Sequence, residues 1–332
     1  MSSLKLNHIN QPHPDEVGAT LLDFLVQLGG ASIIHIDGRD KSRCRVLVTL
    51  LHGNEPSGLK AVHKLLKEGF VPEVNLKIVI ASVVAARTEP VFYHRMLPGQ
   101  QDLNRCFNSN RKDLQTKLAH SIQAYIDSFK PEAVVDLHNT SGSGPAFCVS
   151  THQSAKHLTL ASFFTHRLIY TDIRLGSIME QDFNCPIITV EAGGAQDAES
   201  DIVAYQGLKN YFSSKNIFVL RQEIELLALP RRLELQANTS ISYNSEAQPL
   251  DITLRQDLES FNFCTIAKGT TLGWSDKQLN EVLCLDRPSI SLSKCFEIKE
   301  GLFRNVCKMT LFMVTTRVDI ATSDCLFYFA PA

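Results

Sequence analysis

Over the first 220 residues, short aliphatic runs alternate with stretches of helical period. Leu21, Leu22, Leu25 and Leu28 repeat on one helical face and stop at Gly29–Gly30, a usual way for a helix to end. Arg45-Val-Leu-Val-Thr-Leu-Leu51 is short, aliphatic and bounded by the turn residues His52, Gly53 and Asn54, which predicts a buried strand. From about Pro56 a helix follows, with Leu59, Val62, Leu65 and Leu66 on one face and the proline in its first turn. Residues 75–83 suit a second strand. Leu114, Leu118, Ile122, Tyr125, Ile126 and Phe129 then repeat at helical spacing as far as Pro131. Residues 132–137 predict a strand ending at His138. A helix near 158–169, a strand at 186–190 and a helix around 201–212 continue the alternation. This order predicts an α/β fold: a mostly parallel or mixed sheet flanked by helices.

Two stretches break the pattern. Residues 85–111 show no period and contain Pro90, Pro98 and Gly99; a loop of that length inside a domain is usually functional or disordered. Beyond about residue 220, Ser, Thr, Asn and Asp punctuate short β-favouring runs such as 263–267 and 309–315. The chain is therefore expected to hold a catalytic domain over 1–220, with 1–40 as a lead-in, and a smaller β-rich domain over 221–332. All eleven histidines lie at or before His166, so histidine-based metal chemistry belongs to the first domain.

Composition narrows the function classes. With 44% hydrophobic and 20% charged residues, the 332-residue chain can bury a sizeable core. Its formal charge of −2 gives no electrostatic reason to bind nucleic acid or an anionic membrane. Nine scattered cysteines without a C-x-x-C pair indicate neither a disulfide framework nor a structural zinc site, and fit a reducing, cytoplasmic setting. No signal-like apolar core opens the sequence, and no apolar run approaches the roughly 20 residues that span a bilayer.

The candidate chemistry gathers where strands end. His52 and Glu55 flank a strand-to-helix turn, the place where open α/β sheets bind ligands. An imidazole and a carboxylate converging there supply two of the three protein donors of a catalytic zinc, and Gly53 permits the tight backbone. His138, in Val134-Val-Asp-Leu-His-Asn-Thr140, completes a His₂Glu set, although a lone strand-end histidine can equally bond a carbonyl. Glu191, in Thr189-Val-Glu-Ala-Gly-Gly194, is an acid with no structural need there and a candidate general base. Its plain alternative is an edge salt bridge. In Asp102-Leu-Asn-Arg105, Asn104 and Arg105 offer donors suited to a carboxylate. An Asx-turn beside a solvated arginine is the structural alternative. Arg95, in the same loop, is a candidate for polarising a scissile carbonyl. Asp136 shares a strand face with His138 and can hold its ring by a hydrogen bond. His63 and Cys106 read as packing residues.

Together these four motifs, in this order, resemble the succinylglutamate desuccinylase/aspartoacylase family, a branch of the zinc carboxypeptidase-like hydrolases. The resemblance spans residues 52–194 and beyond 220 is architectural only. It implies one zinc ion on His52, Glu55 and His138, and Glu191 as the catalytic carboxylate. It also implies Asn104 and Arg105 as the grip on the amino-acid carboxylate and Arg95 as the oxyanion stabiliser. Arg174 and Gln181 lie in the region where the acyl group would be read, but neither carries an identifying motif.

The reading is a zinc-dependent hydrolase that cleaves the amide bond of a small N-acyl amino acid or related compound. A metallocarboxypeptidase acting on peptides and a non-catalytic zinc- or ligand-binding protein are the alternatives. The expected partner is a small carboxylate-bearing substrate, not nucleic acid or membrane; self-association is left open.

Overall fold

The computed structural model describes residues 6–140, 142–286, 291–323 and 325–331. Two units divide it, Met1–Leu226 and Leu227–Ala332. The elements of the first are β1 (Asn7–Asn10), α1 (Leu21–Leu28), β2 (Ser32–Ile36), β3 (Asp40–Thr49), α2 (Ser57–Lys67), β4 (Val74–Ile80) and α3 (Val83–Arg87). They continue with α4 (Leu114–Asp127), β5 (Val134–Thr140), β6 (Phe147–Ser150), α5 (Ala155–Ala161), β7 (Arg167–Tyr170), β8 (Ile187–Gly194) and α6 (Ala198–Ser213). With β9 (Glu225–Ala228) at one edge, the strands form a nine-stranded sheet in the order β1-β2-β4-β3-β5-β8-β6-β7-β9.

The four central strands β4, β3, β5 and β8 run parallel, while β2 and β6 pair antiparallel to β4 and β8. The sheet is therefore mixed. Its centre is covered on both faces. Leu47 and Val135 join a core with residues of α1, α2, α5 and α6, whereas Val46, Val48 and Val134 face a second core built on α4. Alternate residues of one strand thus feed opposite layers, which is why β3 and β5 read as continuous apolar runs. Buried polar residues are embedded among them. Arg45, fully buried, bonds Glu132 at 2.8 Å and the carbonyls of Tyr211 and Ser214 at 2.6 and 2.7 Å, tying β3 to the end of α6.

Several elements differ from the sequence expectations. Residues 1–40 hold two strands of the sheet as well as the expected helix, whose end at Gly29 has φ +70°. Pro56 precedes α2 as its cap rather than standing inside the first turn. The helix expected near 158–169 ends at Ala161, and Arg167–Tyr170 is the strand β7. His138 lies within β5, two residues before its end. Among the described residues, no helix is long and apolar enough to cross a membrane.

The second unit is β-rich. Arg231–Leu235, Cys264–Ile266, Leu283–Leu285, Met309–Phe312 and Phe327–Pro331 form one five-stranded sheet. Ile241–Asn244, Ile252–Arg255, Thr271–Trp274, Phe296–Lys299 and Leu302–Asn305 form the other. Leu233, Phe327 and Phe329 from the first meet Leu254, Phe296 and Phe303 from the second in one shared core.

Candidate metal centre

The turn after β3 delivers the first two residues. Leu50, fully buried, takes φ +56° and swings the chain off the sheet, so that His52 and Glu55 emerge at its carboxyl end, 4% and 5% exposed. Gly53 matters for room: a Cβ there would sit 2.6 Å from the His94 carbonyl oxygen and 2.7 Å from the Ala86 nitrogen. Its N–H donates to the Arg95 carbonyl at 2.9 Å, which draws the Arg95 loop onto the turn. On the neighbouring strands His138 and Glu191 are direct partners in register, and parallel partners share a face. Just past them the register slips, with Thr140 opposite Gly194. An extra residue of this kind commonly re-aims side chains beside functional sites.

His52, Glu55 and His138 converge, with one ligand atom from each lying within 4.8 Å of the others. Glu55 places Oε1 2.8 Å from His52 Nδ1 and Oε2 2.6 Å from His138 Nδ1. The far nitrogen of each ring meets another carboxylate: His52 Nε2 lies 2.9 Å from Asp102 Oδ1, and His138 Nε2 2.8 Å from Asp136 Oδ2. A carboxylate on Nε2 of each imidazole leaves Nδ1 as the nitrogen that could face a cation. Arg95 reaches the same cluster, with Nη1 3.2 Å from Glu55 Oε1 and Nη2 2.9 Å from Asp102 Oδ2.

The electrostatics suit a cation. Glu55, Asp102, Asp136 and Glu191 crowd four carboxylates around two imidazoles and one guanidinium. Burial alone would raise the Glu55 pKa, but His52 and His138 hold it well below the usual carboxylate range. Burial would likewise lower His138, yet Asp136 and Glu55 raise it well above the ordinary histidine value. The Glu191 Oε2 is screened from solvent without a hydrogen-bond partner among the described residues. Burial, opposed by His138 and reinforced by Glu55, pushes its carboxyl up to about 7. Two nitrogens and a carboxylate in a negative, dry cluster are a fitting donor set for a divalent ion such as zinc.

Residues 45–207 match the family model for the succinylglutamate desuccinylase/aspartoacylase catalytic domain. Residues 45–207 thus carry the catalytic domain of this family. That family is one of deacylating hydrolases. None of the curated protein sequences matches it. The fold is that of solved family members. Succinylglutamate desuccinylase from Vibrio parahaemolyticus superposes with a TM-score of 0.60 at 12% identity, over 94% of this chain and 95% of that one. The product-bound ectoine utilization protein of Ruegeria pomeroyi gives 0.56 at 17% identity, over 90% and 88%. Succinylglutamate desuccinylase from Chromobacterium violaceum gives 0.53 at 15% identity, over 89% and 86%.

Around this centre the other candidate residues take distinct places. Asn104 is buried and accepts the Ile178 N–H at 3.0 Å through Oδ1, so it anchors the 172–181 segment. Arg105 is exposed and donates to the Asn104 carbonyl at 3.0 Å; among the described hydrogen bonds it makes none to the three converging residues. Arg174 is exposed, and Gln181 bonds Asn108 at 2.9 Å. His63 packs on Phe24 and bonds the Gly18 carbonyl, and Cys106 is buried, both as the sequence suggests. Two polar residues gain roles that the sequence did not assign. Asp102 orients His52 and Arg95. Asn139 joins three elements: its Oδ1 accepts the Ser57 N–H at 3.1 Å, while Nδ2 donates to Ser57 Oγ at 2.9 Å and to the Gly193 carbonyl at 3.0 Å. Their only signal in the sequence is position, each standing inside a motif next to a candidate residue.

Proposed function

We propose that this protein is a zinc-dependent deacylase that hydrolyses the amide bond of a small N-acyl amino acid or related compound, with 1–226 as the catalytic unit. The observation that carries the reading is the convergence of His52, Glu55 and His138, each imidazole backed by a carboxylate, beside a Glu191 oxygen without a partner among the described residues. In this reading His52, Glu55 and His138 hold one zinc ion. Bound there, the ion would supply a Lewis acid and lower the pKa of water toward about 7.

Glu191 takes the proton of the attacking water as oxygen bonds to the carbonyl carbon, and returns it to the nitrogen as the C–N bond breaks. Its raised pKa suits both duties, because a group near neutrality can accept and release a proton at similar cost. Arg95 turns its guanidinium to the carbonyl oxygen as negative charge develops there. Asn104 and Arg105 hold the amino-acid carboxylate and so pre-set the angle of attack. Asp102 and Asp136 keep both imidazoles in one tautomer throughout. The nine scattered cysteines, without a C-x-x-C pair, fit work in the cytoplasm.

The test is a screen of N-acyl amino acids and short peptides against the zinc-loaded chain, run beside the Glu191→Ala variant. Turnover of N-acyl amino acids that is lost in Glu191→Ala, with zinc retained, supports the reading. Turnover of peptides alone would favour a carboxypeptidase, and no turnover of either would leave only metal binding.

A further inference from the structure

A cavity of about 350 Å³ opens beside the centre, lined by Asn54, Glu55, Phe92, Thr140, Gln196 and Asp197 among others. Its walls are the residues that directly follow the site: Asn54 and Glu55 after His52, Thr140 after His138, and Gly194 to Asp197 after Glu191. The carboxylate grip lies elsewhere. Asn104 is tied through Asp102 to His52, and neither Asn104 nor Arg105 lines the cavity. A substrate whose amino-acid carboxylate is held at Asn104 and Arg105 lays its amide across the centre, and its acyl half then runs into this cavity.

Three observations say what that acyl half is. The volume falls at the lower end of small-ligand sites, about 300–1,000 Å³, and exceeds what a two-carbon acetyl group fills. Besides Glu55, whose charge His52, His138 and Arg95 already meet, the carboxylate of Asp197 lines the cavity, and among the described residues no lysine, arginine or histidine lines it. A carboxylate running past the centre into the cavity would leave water beside Asp197 with no cation among the described lining residues, which is unfavourable. Finally, Asn54 Oδ1 is buried without a partner among the described residues. It is an acceptor awaiting a donor, and a carboxylate offers only more acceptors.

We infer that this cavity selects acyl groups longer than acetyl that carry no negative charge, preferably with a hydrogen-bond donor near the far end. The inference rests on the deacylase reading above and names its substrate class: N-acyl amino acids with a neutral polar acyl chain, in place of the succinyl group. It concerns the acyl half only; the amino-acid carboxylate is still required.

The test compares N-succinyl-, N-succinamoyl- and N-acetyl-L-glutamate, and the same three acyl groups on L-aspartate, with the zinc-loaded full chain. Succinyl and succinamoyl differ in charge and in one donor but scarcely in shape. The expected result is a kcat/KM at least tenfold higher for succinamoyl than for succinyl. Gln196 is exposed, so Gln196→Arg adds a cation to the wall without disturbing the core. That variant is expected to lower the succinamoyl-to-succinyl ratio at least tenfold. Succinyl equal to or better than succinamoyl in the parent chain would overturn the inference while leaving deacylation standing. So would a ratio that Gln196→Arg does not move, since the acyl group would then lie elsewhere. No turnover of any of the six compounds would overturn deacylation, and the inference with it.

Discussion

Replacing Asn139 by alanine should damage stability and metal affinity together. The side chain is 2% exposed and makes three hydrogen bonds, two to Ser57 and one to the Gly193 carbonyl. Ser57 Oγ keeps a second partner, Asp201 at 2.7 Å, so the groups stranded by Asn139→Ala are the Ser57 N–H and the Gly193 carbonyl. A buried polar group left without its partner costs about 1–3 kcal/mol, so two cost about 2–6 kcal/mol. For a unit of this size each kcal/mol lowers the melting temperature by about 2–4 °C, which puts the loss at roughly 10 °C. The same bonds tie α2, which follows Glu55, to β5, which carries His138, and to β8, which carries Glu191. Zinc affinity should therefore weaken by about tenfold or more, as when other outer partners of ligands are removed. Thermal denaturation and a competition titration with a zinc chelator measure the two effects. Asn139→Asp keeps the shape but removes both donors, and should show most of the loss. A melting temperature within 2 °C of the parent, with unchanged zinc affinity, would refute the argument.

Other substitutions separate chemistry from scaffolding. Glu191→Gln should keep one zinc per chain by metal analysis while kcat falls by about 10²–10⁴, the usual contribution of a positioned proton-transfer group. Unchanged kcat would remove Glu191 from proton transfer. Asp136→Asn alters the partner of His138 Nε2, and should weaken zinc binding by about 10–100-fold in a chelator competition while the fold is retained. Acid should destabilise the chain in part through two histidines away from the centre. Burial, with Lys77 and His8 adding, pushes His35 down to about 4, and burial with His152 does the same for His157. Unfolded histidine titrates near about 6.5, so between pH 6.5 and 4 the unfolded chain binds more protons and stability falls as pH falls. Above about 6.5 both states are neutral and this contribution is constant. The double variant His35→Gln/His157→Gln should show a shallower decline in denaturation midpoint across that window; an equal or steeper slope would show that these rings do not carry it.

The helix–strand alternation was legible because the central strands are buried on both faces and write themselves as aliphatic runs. The edges were not. Asn7–Asn10 is mostly exposed and polar, so it carries no apolar signal, and its place in the sheet depends on pairing with Ser32–Ile36. Arg167–Tyr170 is four residues long, and a run so short cannot be told from a turn of buried helix by periodicity. The second unit was readable as β-rich, yet its three- to five-residue strands gave little hold on register. At the centre, His52, Glu55, His138 and Glu191 stood out because acids and imidazoles at the ends of apolar strands lack a packing role. Asp102 and Asn139 did not, because what defines them is a partner 50 and 82 residues away. The exposed guanidinium of Arg105 shows the converse limit: a motif names a residue without saying where its side chain rests before a ligand arrives.

The register slip beyond Glu191 leaves Gly193 and Gly194 beneath a neighbouring loop. A Cβ on Gly193, whose φ is +108°, would come within 2.9 Å of the Gly144 carbonyl oxygen, and one on Gly194 within 3.0 Å of that of Gly142. A methyl on Gly193 would first meet Ser200 Oγ at 2.7 Å and one on Gly194 would first meet Asp197 Oδ2 at 2.6 Å, so either would have to shift those side chains as well as the loop whose Gly142 and Ser143 help wall the cavity. The two bare backbones thus let the strand, the loop and the start of α6 close on one another, and a side chain at Gly193 would strain the chain itself as well as crowd that junction.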